Sequence, residues 1–64
     1  MKIGDIVLDV SDGCILIYLG KETGPSIATY RFMEIHSGKF WDYERWDVQS
    51  YIEVINESGR FGET

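Results

Sequence analysis

Apolar and polar positions along this chain recur with a period near two and not near 3.6, a pattern that predicts strands. From Asp5 to Val10, Ile6, Leu8 and Val10 share one face, while Asp5, Val7 and Asp9 share the other. Ser11-Asp12-Gly13 then reads as a hairpin turn, because Asp-Gly supplies the positive φ that tight turns need. Cys14 to Leu19 is an unbroken apolar run, which predicts a second strand covered on both faces or curling around a core.

Gly20 to Ser26, with Gly24 and Pro25 inside it, is expected to be a loop, since Pro25 fixes φ and donates no backbone hydrogen bond. Ile27 to Ile35 reads as a third strand, with Ile27, Thr29, Arg31, Met33 and Ile35 on one face. Ala28, Tyr30, Phe32 and Glu34 take the other. His36 to Lys39 forms the next turn, and Phe40 to about Arg45 the fourth strand. Trp46 to Ser50 is expected to be a short connector with one 3₁₀ turn and Asp47 near its start, before a last strand over Tyr51 to Ile55. The polar, Gly-containing stretch after Asn56 predicts a flexible tail over residues 57–64. Ile17 and Val54, central in their strands, are the expected core positions.

Five short strands with regular turns and no long helical segment predict an all-β domain over residues 1–56. Closure into a small five-stranded barrel, with a 3₁₀ turn before the last strand, is the expected architecture, because a chain this short has no helix to cover an exposed sheet edge.

Composition sets the limits of that domain. At 64 residues and 7.4 kDa the chain makes one domain, burying roughly 60% of its unfolded surface. Apolar residues are 44% and aromatics 14%, a globular composition. The formal net charge is −5, with the excess acids at the two ends of the chain and a balanced middle. Nucleic acid is therefore disfavoured as a partner, because such binding rests on Lys and Arg neutralising phosphates. An anionic membrane surface is disfavoured on the same ground. The apolar run at Cys14–Leu19 is also far short of the ~20 residues that a membrane-spanning helix needs. Met1-Lys2-Ile3-Gly4-Asp5 has no apolar stretch or cleavage site of a signal peptide, so a cytoplasmic location is expected. The one cysteine makes no internal disulfide and no zinc site with the lone His36.

Three segments carry a resemblance. Gly4-Asp5-Ile6-Val7 at the opening, Gly38-Lys39-Phe40-Trp41 at the fourth strand and Ser50-Tyr51-Ile52-Glu53-Val54-Ile55 at the close resemble small bacteriophage-encoded proteins with an SH3-like β-barrel. That resemblance covers residues 1–56 and implies an SH3-like barrel acting inside a bacterial host cell. It brings no agreed activity with it.

Two groups of residues are candidates for contact with a partner. Phe40-Trp41-Asp42-Tyr43-Glu44-Arg45-Trp46 interleaves aromatics with acids. Trp41, Asp42, Tyr43, Glu44 and Trp46 form the candidate partner-binding set, since exposed Trp and Tyr combine large apolar area with a polar tip. The alternative is that two or three of these rings fill the core, with Trp46 plugging one barrel end. The second group is Asp5, Asp9, Glu53 and Glu57, which merge into one acidic patch if the first and last strands are neighbours. Such a patch suits a basic partner or imitates phosphates, although a solvated face that keeps the domain soluble accounts for it equally.

No catalytic set stands beside these. His36 and Ser37 are adjacent in a turn and cannot form a nucleophile–base pair oriented by a third group. Cys14 reads as a small core residue, and Asp42 with Glu44 have no pocket to serve. Gly20-Lys21-Glu22-Thr23-Gly24 lacks the Gly-Lys-Ser/Thr ending of a phosphate loop. A non-enzymatic module without cofactor or metal, binding a protein partner, is the leading expectation. An acidic inhibitor or nucleic-acid mimic acting on a host nucleic-acid-binding protein is the second, and a structural, self-associating virion component the third.

Overall fold

The computed structural model describes residues 1–24 and 28–56. Five strands and one short helix follow in the order β1 (Ile6–Asp9), β2 (Cys14–Thr23), β3 (Ala28–Glu34), β4 (Phe40–Glu44), α1 (Arg45–Tyr51) and β5 (Ile52–Asn56). All strands belong to one antiparallel sheet of order β4-β3-β2-β1-β5. First and last strands are thus neighbours. The expected closure is not present: β4 and β5 are the two edges of an open sheet.

The β1–β2 hairpin follows the turn chemistry of its residues. The Gly13 N–H donates to the Asp9 carbonyl at 2.7 Å, and the Asp12 side chain accepts from the Cys14 N–H at 3.0 Å. Gly13 sits at φ 78°, which an L side chain adopts only with strain. Beyond the hairpin β2 runs on to Thr23, so the stretch Gly20–Thr23 is strand and not the expected loop. A register shift between Tyr18 and Gly20 bends β2 on its way. Gly20 permits that bend with φ 135°, and the Ile3 side chain lies 3.5 Å from where its Cβ would stand. The remainder of the expected loop, Pro25 and Ser26, and the expected start of the third strand at Ile27 lie outside the described residues, as does the tail 57–64.

Alternation sorts the strands into two faces. Val7, Leu16, Tyr18 and Phe32 are buried together on the inner face, with Cys14, Tyr30, Tyr43, Val48 and Ile52 packed around them. Phe32 sits centrally, its ring centroid 5.3 Å from Tyr18 and 5.1 Å, edge-on, from Tyr43. Such contacts add to simple area burial. The inner face is concave: the Tyr43 hydroxyl on edge strand β4 donates to the Asp9 carboxylate at the end of β1 at 2.6 Å, although β3 and β2 lie between them in the sheet.

Two expected core residues change role here. Ile17 faces outward between Leu16 and Tyr18 and is only half-buried, and Val54 is 39% exposed on the edge strand β5. Ile17 has the outward parity, whereas Val54 stands opposite buried Val7 and is exposed because β5 is an edge of the sheet. The expected 3₁₀ connector is a seven-residue α-helix that takes in Arg45 and Tyr51. Asp47 explains its start, accepting the Glu44 backbone N–H at 3.3 Å in a capping box. The Tyr51 carbonyl accepts the Val10 N–H at 2.9 Å, tying the helix end to β1.

Candidate functional site

The aromatic-acidic run of β4 and α1 divides according to how far each ring reaches over the core. Tyr43 turns inward. It stacks edge-on against Phe32, and its hydroxyl is held by Asp9, so it belongs to the fold and not to an exposed contact set. Burial, and then the Asp9 carboxylate that accepts its proton, push the Tyr43 phenol well above its ordinary range. Its neighbours differ. Trp41 is 47% exposed, Trp46 60% and Phe40 57%, at the rim of the sheet and on the first turn of α1.

These exposed rings are held by carboxylates. The Trp46 Nε1–H donates to Glu44 Oε2 at 2.7 Å. The Glu34 carboxylate accepts the Ser37 hydroxyl at 2.8 Å and also hydrogen bonds from Cys14 and Trp41. Those bonds, the one from Ser37 foremost, lower the Glu34 pKa from its ordinary value. Asp42 points to the outer face, 3.6 Å from the Arg31 guanidinium, with both side chains about half exposed. The Arg31 guanidinium in turn lies 5.1 Å from the Phe40 ring centroid. Trp41 thus lies on the inner side of the edge strand β4, Asp42 and Glu44 have the outward parity, and Trp46 follows on α1, with β4 paired on its β3 side only among the described residues.

The proposed merger of acidic ends does not occur. Asp5 and Asp9 are buried on the inner face of β1, each 3% exposed. Asp5 Oδ2 accepts the Lys2 backbone N–H at 2.8 Å, and Asp9 Oδ1 accepts the Ser11 N–H at 2.9 Å. Burial alone would raise the Asp9 pKa. Hydrogen bonds from the Ser11 side chain, Tyr43 and the Ser11 and Asp12 backbone outweigh it and hold the carboxyl below its ordinary value. Glu53 stands opposite Leu8, hence on the outer face, away from both aspartates. Glu57 lies outside the described residues. Two buried, hydrogen-bonded carboxylates and one solvated glutamate on the reverse side do not make a single acidic surface.

A shallow cleft of about 430 Å³ lies between the start of β2 and the end of β3, lined by Gly13, Cys14, Ile15, Glu34, Ile35 and His36. Its thiol is not a nucleophile. Asp12 and Glu34 accept the S–H, and with burial and their charges they push the Cys14 pKa up to about 12. Among the described residues, no group of three His, Cys, Asp or Glu side chains is placed to hold a metal ion, and no helix is long and apolar enough to cross a membrane.

No family model, no curated protein and no solved structure matches the chain. The reading of the site therefore rests on its geometry.

What sequence reasoning missed is the Asp9–Tyr43 pair and the role of Glu34 as an acceptor for Trp41. A signal for the first lay in Asp9-Val10-Ser11, where an acid two residues before a serine folds back on that serine's N–H. The second depends on which residues β2, β3 and β4 bring together, and no local spacing announces it.

Proposed function

We propose that this protein is a small non-enzymatic binding module that contacts a protein partner along the β4 edge and the first turn of α1. The observation that carries this reading is the exposure of Trp41 on β4 and of Trp46 on the first turn of α1, with β4 paired on one side only among the described residues. Exposed tryptophan of this extent is costly to solvate, and such residues dominate interface energies where they occur. The Trp46 Nε1–H is already engaged by Glu44, so this indole is pre-oriented and loses little freedom on binding. An unpaired strand edge flanked by apolar rings and carboxylates suits an extended segment bearing apolar and cationic side chains, added as a further strand.

The strand order, with a short helix between β4 and β5, accords with an SH3-like barrel in which the helix lies over the gap between the two edges. A bacteriophage source and a site of action in the host cytoplasm go with that reading.

The test is selection from a displayed library of random extended peptides, followed by titration of the winners against wild type and a Trp41→Ala/Trp46→Ala variant. Truncating aromatic anchors of this kind costs ~2 kcal/mol or more, so affinity is expected to fall roughly thirtyfold while the thermal midpoint holds. Selected peptides that bind both proteins equally, or a library that yields no binder, would overturn the proposal. Alternate backbone N-methylation of a winning peptide should abolish its binding if it docks by strand addition.

A further inference from the structure

We propose that the β4 edge takes a short antiparallel segment of a partner protein, with a cation opposite Asp42 and an apolar residue opposite Trp41. This rests on the strand-addition reading above and gives it a direction and a register. One hydrogen bond fixes which backbone groups of β4 are open. The Glu34 N–H donates to the Lys39 carbonyl at 2.7 Å, in the register that sets Phe40 opposite Met33 and Asp42 opposite Arg31. Along an antiparallel pair, residues that exchange hydrogen bonds alternate with residues that do not. Lys39, Trp41 and Tyr43 therefore turn their N–H and C=O towards β3, while Phe40, Asp42 and Glu44 turn theirs to the free side. Glu44 agrees: its N–H is accepted by Asp47 Oδ2 at 3.3 Å, in the capping box that starts α1.

The helix closes the ladder at Glu44. Phe40 and Asp42 are left, and among the described residues no further strand takes their N–H and C=O groups. That spacing selects a direction. An antiparallel segment of about three residues satisfies all four groups, through the residues opposite Asp42 and Phe40. A parallel segment needs about five residues to reach the same groups, through those opposite Lys39, Trp41 and Tyr43. Its last residue would lie beside Glu44, where Asp47 already occupies the free side.

Side chains then follow from the register. The partner residue opposite Asp42 falls on the outer side. Asp42, Glu44 and Asp47 outnumber Arg31 and Arg45 at this end of β4, which suits lysine or arginine. A second copy of this chain would bring the same acids to the ladder, so its own β4 is a poor occupant. Opposite Trp41 the partner side chain turns to the inner side, onto an indole that is 47% exposed, and an aliphatic residue covers it. Opposite Phe40 a β-branched residue meets the exposed ring on the outer side. In the partner's own order the motif is cation, aliphatic, β-branched.

The probe is a capped peptide of about nine residues with arginine-leucine-valine at its centre and threonine elsewhere, titrated into the full chain and followed by backbone amide NMR shifts. It is expected to shift the Phe40 and Asp42 amides. N-methylation of its arginine or its valine should abolish binding, whereas N-methylation of its leucine, whose N–H points away from β4, should change affinity by less than about threefold. Asp42→Lys should weaken the peptide roughly tenfold, and glutamate in place of its arginine should restore binding to that variant, with circular dichroism confirming its fold. Binding lost on methylating the leucine and kept on methylating its neighbours, or no charge reversal at Asp42, would overturn this register and leave strand addition standing. A probe that fails while library-selected peptides bind at Trp41 would overturn the motif alone. Failure of both would remove the binding edge itself, and self-association of the free chain through β4 would give the edge to a second copy.

Discussion

The two faces of this sheet are made by the same strands and have opposite characters. The inner face joins four buried apolar residues to two buried carboxylates, and among the described residues no buried side-chain N or O atom lacks a hydrogen-bond partner. The outer face holds more aliphatic residues, yet Ile15 and Phe40 stay 38% and 57% exposed. Hydrophobic count therefore does not decide which side becomes the core. The inner side wins because curvature brings the aromatic rings of Tyr18, Phe32 and Tyr43 into mutual contact and lets Tyr43 neutralise the cost of burying Asp9. The outer side keeps part of its apolar surface in solvent.

The comparison breaks most violently at Phe32, fully buried and touching both neighbouring rings. Phe32→Ala is expected to cost ~3–5 kcal/mol, against a total of ~3–10 kcal/mol for 64 residues. Chemical denaturation should find it largely unfolded at 37 °C, and a midpoint near that of wild type would mean the inner face is not the core. Next in size is Tyr43→Phe, which keeps the ring and removes the hydrogen bond to a buried carboxylate, for a loss of about 1–3 kcal/mol.

Acid sharpens the same point. The Asp9 carboxyl is held below its ordinary value in the folded chain. It therefore contributes stability that is complete above the unfolded pKa, about 3.9, and that disappears as the pH falls through the lower folded value. Thermal midpoints measured from pH 6 down to pH 2.5 should drop for wild type below about pH 4. The gap between wild type and Tyr43→Phe should narrow over the same interval, because protonated Asp9 no longer rewards the bond. A constant gap would assign the Tyr43 effect to packing. The smallest stability effect is expected at the binding edge: Trp46→Ala, at an exposed helical position, should change stability by no more than about 0.5 kcal/mol in the same denaturation experiment.

Much of this organisation is legible in the sequence. The period-two alternation gives five strands, Asp12-Gly13 gives the first hairpin, and β1 and β5 are neighbours as expected. Facing is where local pattern fails. Ile6, Leu8 and Val10 look like the buried stripe of β1, yet the stripe of Asp5, Val7 and Asp9 goes inside. The donors to Asp9 lie both nearby, at Ser11, and 34 residues away, at Tyr43, and only the second depends on tertiary structure. The same parity error puts Ile17 in the core, whereas Tyr43 and Trp41 share a face and only Tyr43 packs against the core. Trp41 shares the inward parity but sits at the open rim, where no further strand covers it. Tyr51 has the character of a strand residue, yet it closes the α-helix that stands where a 3₁₀ connector is expected, and its carbonyl accepts the Val10 N–H.

The central claim is that inner and outer faces of one strand do different work, and adjacent residues of β2 test it most directly. Leu16→Ala and Ile17→Ala remove the same amount of side chain from positions one residue apart, the first 1% exposed and the second half-buried on the other face. Urea unfolding should show Leu16→Ala destabilised by ~2–4 kcal/mol and Ile17→Ala by at least ~1 kcal/mol less. Equal losses, or a larger loss at Ile17, would contradict the assignment of the core to the inner face.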